Sequence, residues 1–133
     1  MDIITKETTM NDIKDFLSSN GYECDEVVDN SLIFKVKGVK STAVMMPSGN
    51  IMFMVTLQLK DGLDEFETLK KINEINFQII SGNLSVKLNT VAFCYTLIRP
   101  YGMGAKSFGD FVDYHTFAMA YMVEELGLSE ITK

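Results

Sequence analysis

Histidine occurs once in 133 residues, cysteine and proline twice each, and tryptophan not at all. A lone histidine argues against a zinc site, because three or four nitrogen or sulfur ligands must converge and this chain does not offer them at useful spacing. Cys24 and Cys94 stand far apart. A disulfide scaffold carries more cysteines at tighter spacing, so both read as reduced thiols of a cytoplasmic chain, packed as small hydrophobes. Basic residues are outnumbered, 12 to 18, for a net charge of −6. A nucleic-acid binder needs a basic face to follow phosphates, so no nucleic-acid partner is expected. Long apolar runs are also missing. The longest, Val44 to Leu59, is broken by Pro47, Ser48, Gly49 and Asn50 and is too short to span a bilayer. The opening residues carry no charged-then-apolar leader, so neither secretion nor a membrane partner is expected.

What is present suffices for a packed domain. Apolar residues make up 47% of the chain and charged residues 23%, enough apolar surface to offset the entropy of ordering. No repeat, linker or compositional break divides it. We expect one domain over 1–133, with 1–8 as a loose N-terminal segment.

Periodicity gives the element order. Met10, Ile13, Phe16 and Leu17 recur at helical spacing over Thr9 to Asn20, with Thr9 as N-cap and Asn20-Gly21 as the stop. Strands follow at Glu23 to Val28, Ser31 to Val36, Lys40 to Met46 and Ile51 to Leu59, the first two joined by Asp29-Asn30. Asp64 to Ile80 reads as a second helix with a buried stripe of Phe66, Leu69, Ile72 and Ile79. A hairpin around Asn89-Thr90 joins strands Leu84 to Leu88 and Val91 to Ile98. A third helix runs from Ser107 to Leu126. The order α-β-β-β-β-α-β-β-α, with mostly short connections, makes an α+β domain with an antiparallel sheet packed by helices.

Candidate chemistry is sparse. Tyr101 to Ser107 is glycine-rich before a helix, where exposed backbone donors can cradle an anion. Its spacing fits neither a phosphate loop nor a dinucleotide fold, and a strand-to-helix connection capped by Ser107 is the plainer reading. His115 falls on the apolar face of the third helix with no nucleophile motif beside it, and reads as a core-edge histidine holding one hydrogen bond. Asp110, Asp113, Glu124 and Glu125 read as solvated helix faces. Asn76 shares a face with Leu69, Ile72 and Ile79, so its amide is expected to be buried and bonded to the backbone of a neighbouring strand or loop.

Methionine is the compositional excess, with nine residues; it adapts to irregular partners and is over-used at permissive binding surfaces. On the fourth strand Met52, Met54 and Thr56 face away from Ile51, Phe53 and Val55. On the last strand Ala92, Cys94, Thr96 and Ile98 face away from Val91, Phe93, Tyr95 and Leu97. The second face of the sheet is therefore semi-apolar, whereas a water-facing antiparallel sheet alternates more cleanly. Either another part of this chain covers it or another molecule does.

This pattern resembles the YbjN-type domain, for which a role in bacterial sensory-transduction regulation has been suggested and which is similar to the type III secretion chaperone fold. The resemblance runs from about Thr9 to Leu126. It rests on Ile72 to Phe77 at the end of the second helix, the strand pair from Leu84 to Leu97, the turn Gly102 to Gly104, and a closing helix ending Tyr121 to Leu126. Asn76 matches the asparagine such domains often carry. The resemblance implies no cofactor, no catalytic residues, and a protein-binding or chaperone-like role, often as a homodimer.

The reading is a non-catalytic, chaperone-like or adaptor module with a protein partner, a homodimer, using Ile33, Met52, Met54, Cys94 and Thr96 as its contact set. Two alternatives stand beside it. One is an accessory or inhibitor protein encoded by a phage or mobile element, its acidity matching a basic host groove. The other is a small-ligand binder or enzyme using the 102–107 loop, which calls for His115, Arg99 and a carboxylate in one pocket.

Overall fold

The computed structural model describes residues 1–36 and 38–133. Three helices, α1 (Met10–Ser19), α2 (Glu65–Gln78) and α3 (Ala105–Glu124), accompany eight strands. The strands are β1 (Asp2–Ile4), β2 (Glu23–Cys24), β3 (Ser31–Val36), β4 (Val39–Met45), β5 (Ile51–Gln58), β6 (Asn83–Lys87), β7 (Thr90–Leu97) and β8 (Met103–Gly104). Six of them form one antiparallel sheet in the order β2-β3-β4-β5-β7-β6, and β1 pairs with β8 in a separate ribbon. The fold is α+β.

Local chemistry accounts for the element ends. Thr9 and Asp12 form a reciprocal capping box at the start of α1, with Thr9 Oγ1 accepting from the Asp12 N–H and Asp12 Oδ2 accepting from the Thr9 N–H. Asp29 and Asn30 both adopt positive φ between the bridged pair Val28 and Ser31, the geometry that a two-residue hairpin turn demands and that these residue types tolerate. Strand β2 is consequently short, Glu23–Cys24, where Glu23 to Val28 is the sequence expectation. The second hairpin turns at Leu88 and Asn89 rather than Asn89 and Thr90, since Lys87 pairs with Thr90.

One face of the six-stranded sheet carries Leu32, Phe34, Ala43, Ile51, Phe53, Val91, Phe93 and Tyr95, all buried. Aromatic rings knit it to α3: Phe53 stacks on Tyr95 at 5.1 Å and meets Phe111 edge-on at 5.8 Å. Met10, Ile13 and Leu17 of α1, Ile72 and Ile75 of α2, and Phe108, Val112, Met119 and Met122 of α3 join the same core.

Three expectations are corrected. Residues 1–8 are not loose: Ile4 and Thr8 are buried, β1 pairs with β8, and Arg99 Nη1 donates to the Thr8 carbonyl. Helix α2 buries Thr68, Ile72 and Ile75, leaving Phe66 72% exposed and Leu69 exposed too. Helix α3 starts at Ala105 with Gly104 in the cap position and no side-chain cap, so Ser107 lies inside the helix. Among the described residues no helix is long and apolar enough to cross a membrane.

Candidate protein-binding surface

Strand register decides which outward side chains meet. Ile33 pairs with Thr42, Thr42 with Met54, and Met54 with Cys94. One rung along, Ser31 pairs with Val44, Val44 with Met52, and Met52 with Thr96. Adjacent strands lie about 4.8 Å apart, so Ile33, Met52, Met54, Cys94 and Thr96 share one surface with Val44 and Thr42 between them. Alternation along each strand aims this set away from the buried face. Ile33, Val44, Met52, Met54, Ala92 and Cys94 belong neither to the helix-packed core nor to the half-buried side chains against it. Their partial shielding comes from one another within the pleated surface.

The borders of this face are polar and carry both signs, Glu23 pairing with Lys35. Lys35 pairs with Lys40 at one end, and Lys87 with Thr90 at the other. The Cys94 thiol has its pKa raised by burial, as does that of Cys24, so neither is an activated thiolate.

His115 is buried on the opposite side of the sheet. Its ring stacks on Tyr95 at 3.9 Å, and Phe93, Phe111 and Tyr114 complete the aromatic cage. The backbone dictates the tautomer: Nδ1 lies 2.7 Å from the Phe111 carbonyl, which only accepts, so Nδ1 carries the proton and Nε2, 2.9 Å from Ser81 Oγ, accepts from that hydroxyl. It holds two hydrogen bonds where one is the sequence expectation. Desolvation lowers the imidazole pKa, with the Phe111 bond opposing, and the ring is neutral. The Ser81 contact ties the loop after α2 to α3. The cavity beside His115, about 330 Å³, is lined by Val55, Leu57, Tyr95 and Met119 with Glu124 at its edge. It joins a histidine and a carboxylate but not Arg99, whose Nε and Nη1 donate to the Gly49 and Thr8 carbonyls.

Asn76 projects from α2 to the outer edge of β6. Its Nδ2 donates to the Leu84 carbonyl at 2.9 Å, and its Oδ1 accepts from the Leu84 N–H at 2.7 Å. One side-chain amide thus pairs with a strand residue as a neighbouring peptide would, closing an otherwise open sheet edge.

The glycine-rich loop is spent on structure. Met103 and Gly104 pair with Ile4 and Asp2, and a Cβ on Gly102, at φ +78, would strike the Asp2 carboxylate. Lys106 pairs with Asp110 instead of reaching over the loop. Met103 and Gly104 are thereby tied into the ribbon, and the Asp2 carboxylate lies close against Gly102.

A second surface escaped the sequence reading. On the outer side of α3, Tyr114, Phe117 and Tyr121 are exposed, as are Phe77 and Ile80 after the last turns of α2. The signal was available: Tyr114, Phe117 and Tyr121 follow at steps of three and four, a second helical stripe offset from Phe108, Val112 and Met119.

No family model matches the chain, and no curated protein matches its sequence. Among solved structures, the crystal structure of YbjN from E. coli, a suggested transcription regulator, superposes with a TM-score of 0.78 over 98% of both chains, at 14% sequence identity. At that identity the likeness is one of architecture, and it spans every element described above: this chain has the YbjN-type fold.

Proposed function

We propose that the chain is a non-catalytic protein-binding module, chaperone-like or adaptor in kind, and that the outward sheet face pairs it with a second copy of itself. The observation that carries this reading is the uncovered apolar centre formed by Ile33, Val44, Met52, Met54, Ala92 and Cys94. Such a patch, ringed by threonines and lysines, has the anatomy of an interface, apolar in the middle and polar at the rim. The apolar centre occupies four strands, roughly 19 Å at their usual spacing, with at most two outward residues on each, roughly 13 Å of strand, so it covers on the order of 250 Å². A standard interface needs about 800 Å² per partner, so the surrounding threonines and lysines take part in the contact. A flat sheet packs best on another sheet, roughly 10 Å away, and a two-fold axis sets the same apolar centre against itself. The suggested regulatory role of YbjN is compatible with a protein that acts through contacts.

The test is the double substitution Met52→Glu with Met54→Glu. Both side chains leave the core untouched, so a cooperative urea transition should be retained, its midpoint lowered only by the lost association, while the native mass, measured by sedimentation equilibrium, falls from dimer to monomer. A wild-type monomer at about 100 μM, or a double variant that keeps the dimer, overturns the reading; an interface of this size holds well below that concentration.

A further inference from the structure

We infer that the outer face of α3 is a docking groove for a basic amphipathic helix of a partner protein. The inference builds on the protein-binding reading but uses the opposite side of the molecule from the sheet face.

A groove of about 450 Å³ runs between the segment Gln78 to Ile80 and the outer side of α3, with Tyr114, Phe117, Ala118 and Tyr121 along its length. Its apolar groups are presented to solvent to an unusual degree. Phe117 is 73% exposed and Ile80 92%. Single exposed hydrophobes need no explanation, whereas a contiguous aromatic set does. A second hollow shares Asp113, Phe117 and Tyr121 with it and is lined further by Tyr22, Thr116, Ala120, Glu124 and Glu125, so Phe117 and Tyr121 form a ridge between the two.

Charge selects the occupant. Asp113 lines both hollows, Glu124 and Glu125 line the second, and neither hollow is lined by a lysine or arginine. Tyr22 donates to the Asp113 carboxylate, which fixes that group at the groove wall. Lys106 is committed to Asp110, one turn away, and Lys71 to Glu130. An apolar trough bordered by carboxylates on one side accepts a helix with leucine-like residues on one face and lysine or arginine flanking it. Length agrees: residues 113 to 125 of α3 span about 19 Å, which a partner helix of roughly 13 residues matches. A helix suits the site because α3 presents ridges for another helix to fill.

The probe is a synthetic 14-residue leucine–lysine helix, compared with its leucine–glutamate counterpart and with a scrambled leucine–lysine sequence. Binding to the full chain is followed by fluorescence anisotropy, and the site by amide chemical shifts. The leucine–lysine helix should bind with a micromolar Kd that weakens as salt rises, shifting amides around Tyr114, Phe117 and Tyr121. Phe117→Ala removes an exposed anchor without touching the core and should weaken binding about tenfold; Glu124→Lys with Glu125→Lys should weaken it further. Met52→Glu with Met54→Glu should leave the peptide affinity unchanged, so failure of the sheet-face proposal and failure of this one are separable. Equal binding of the acidic or scrambled peptide, indifference to Phe117→Ala, or shifts confined to other surfaces overturns the inference. So does loss of self-association in Phe117→Ala, which would make a second copy the occupant.

Discussion

Replacing Asn76 by leucine should cost far more than the exposure of α2 suggests. The two side chains branch at the same carbon, and at this half-buried site the loss is chiefly one of hydrogen bonding. Asn76 gives one bond to the Leu84 carbonyl and takes one from the Leu84 N–H, and Leu84 itself is buried. Each peptide group left without a partner in a buried setting costs about 1–3 kcal/mol. Asn76 is half-buried, so water reaches part of the gap and the lower end applies, about 2–4 kcal/mol for the pair. Leucine recovers about 1 kcal/mol of apolar burial, leaving a net loss of about 1–3 kcal/mol. Urea unfolding slopes for a domain of this size are about 1–3 kcal/mol per molar, so the midpoint should fall by roughly 1 M at constant slope. A fall below about 0.3 M refutes the edge-pairing argument. Asn76→Asp sharpens the test. Ionised, it accepts from the Leu84 N–H but sets a charge against the Leu84 carbonyl; protonated, it can satisfy both. The folded variant therefore holds its proton more tightly than the unfolded chain. Its deficit relative to wild type should shrink as pH falls from 7 to 4.

The remaining predictions concern single positions. Burial holds the His115 imidazole below its ordinary 6.5, so as pH falls the unfolded chain takes up the proton first. The stabilisation is intact above about 6.5 and is lost as pH drops below it. Urea midpoints should decline between pH 7 and 5, with a smaller decline in His115→Phe, which keeps the ring stack on Tyr95; equal slopes would refute the assignment. Leu88 sits at φ 56 while 89% exposed, paying backbone strain for no burial. Leu88→Gly should therefore raise stability by about 0.5–1 kcal/mol, and a lower melting temperature would show that its side chain has a contact worth more than the strain.

Much of the architecture was legible because period and punctuation agree in this chain. Asp29-Asn30 between alternating segments could only turn, and the structure gives both residues positive φ. Ile51, Phe53 and Val55 alternate with Met52, Met54 and Thr56, and their faces separate accordingly. The failures arise where tertiary bonds override the local pattern. Phe66 and Leu69 lie on what reads as the apolar stripe of α2. In the structure Thr68, Ile72 and Ile75 are the residues α2 buries, so its inward stripe shares only Ile72 and the half-buried Ile79 with the one the sequence suggests. Ribbon pairing was hidden for a different reason: β1 and β8 are three and two residues long, too short to carry a period, and only the three-dimensional return of the chain brings Ile4 beside Met103.

The surfaces follow the same logic with a sharper consequence. Aromatic residues on α3 divide into two stripes, and only one can face a single sheet. Phe108, Phe111 and His115 take the sheet; Tyr114, Phe117 and Tyr121 are left outside by the 100° step of the helix. If the outer stripe served only folding, polar residues would serve as well, since an exposed phenylalanine gains nothing from burial it does not achieve. Charge is arranged with the same division. Lysines 35, 40 and 87 border the sheet face, while Asp113, Glu124 and Glu125 border the outer side of α3. The sheet-face rim carries both signs, since Glu23 pairs with Lys35, whereas the outer side of α3 carries carboxylates alone among its charged lining. A cationic helix is therefore selected by α3 and not by the sheet face, whose mixed rim tolerates a second copy of itself.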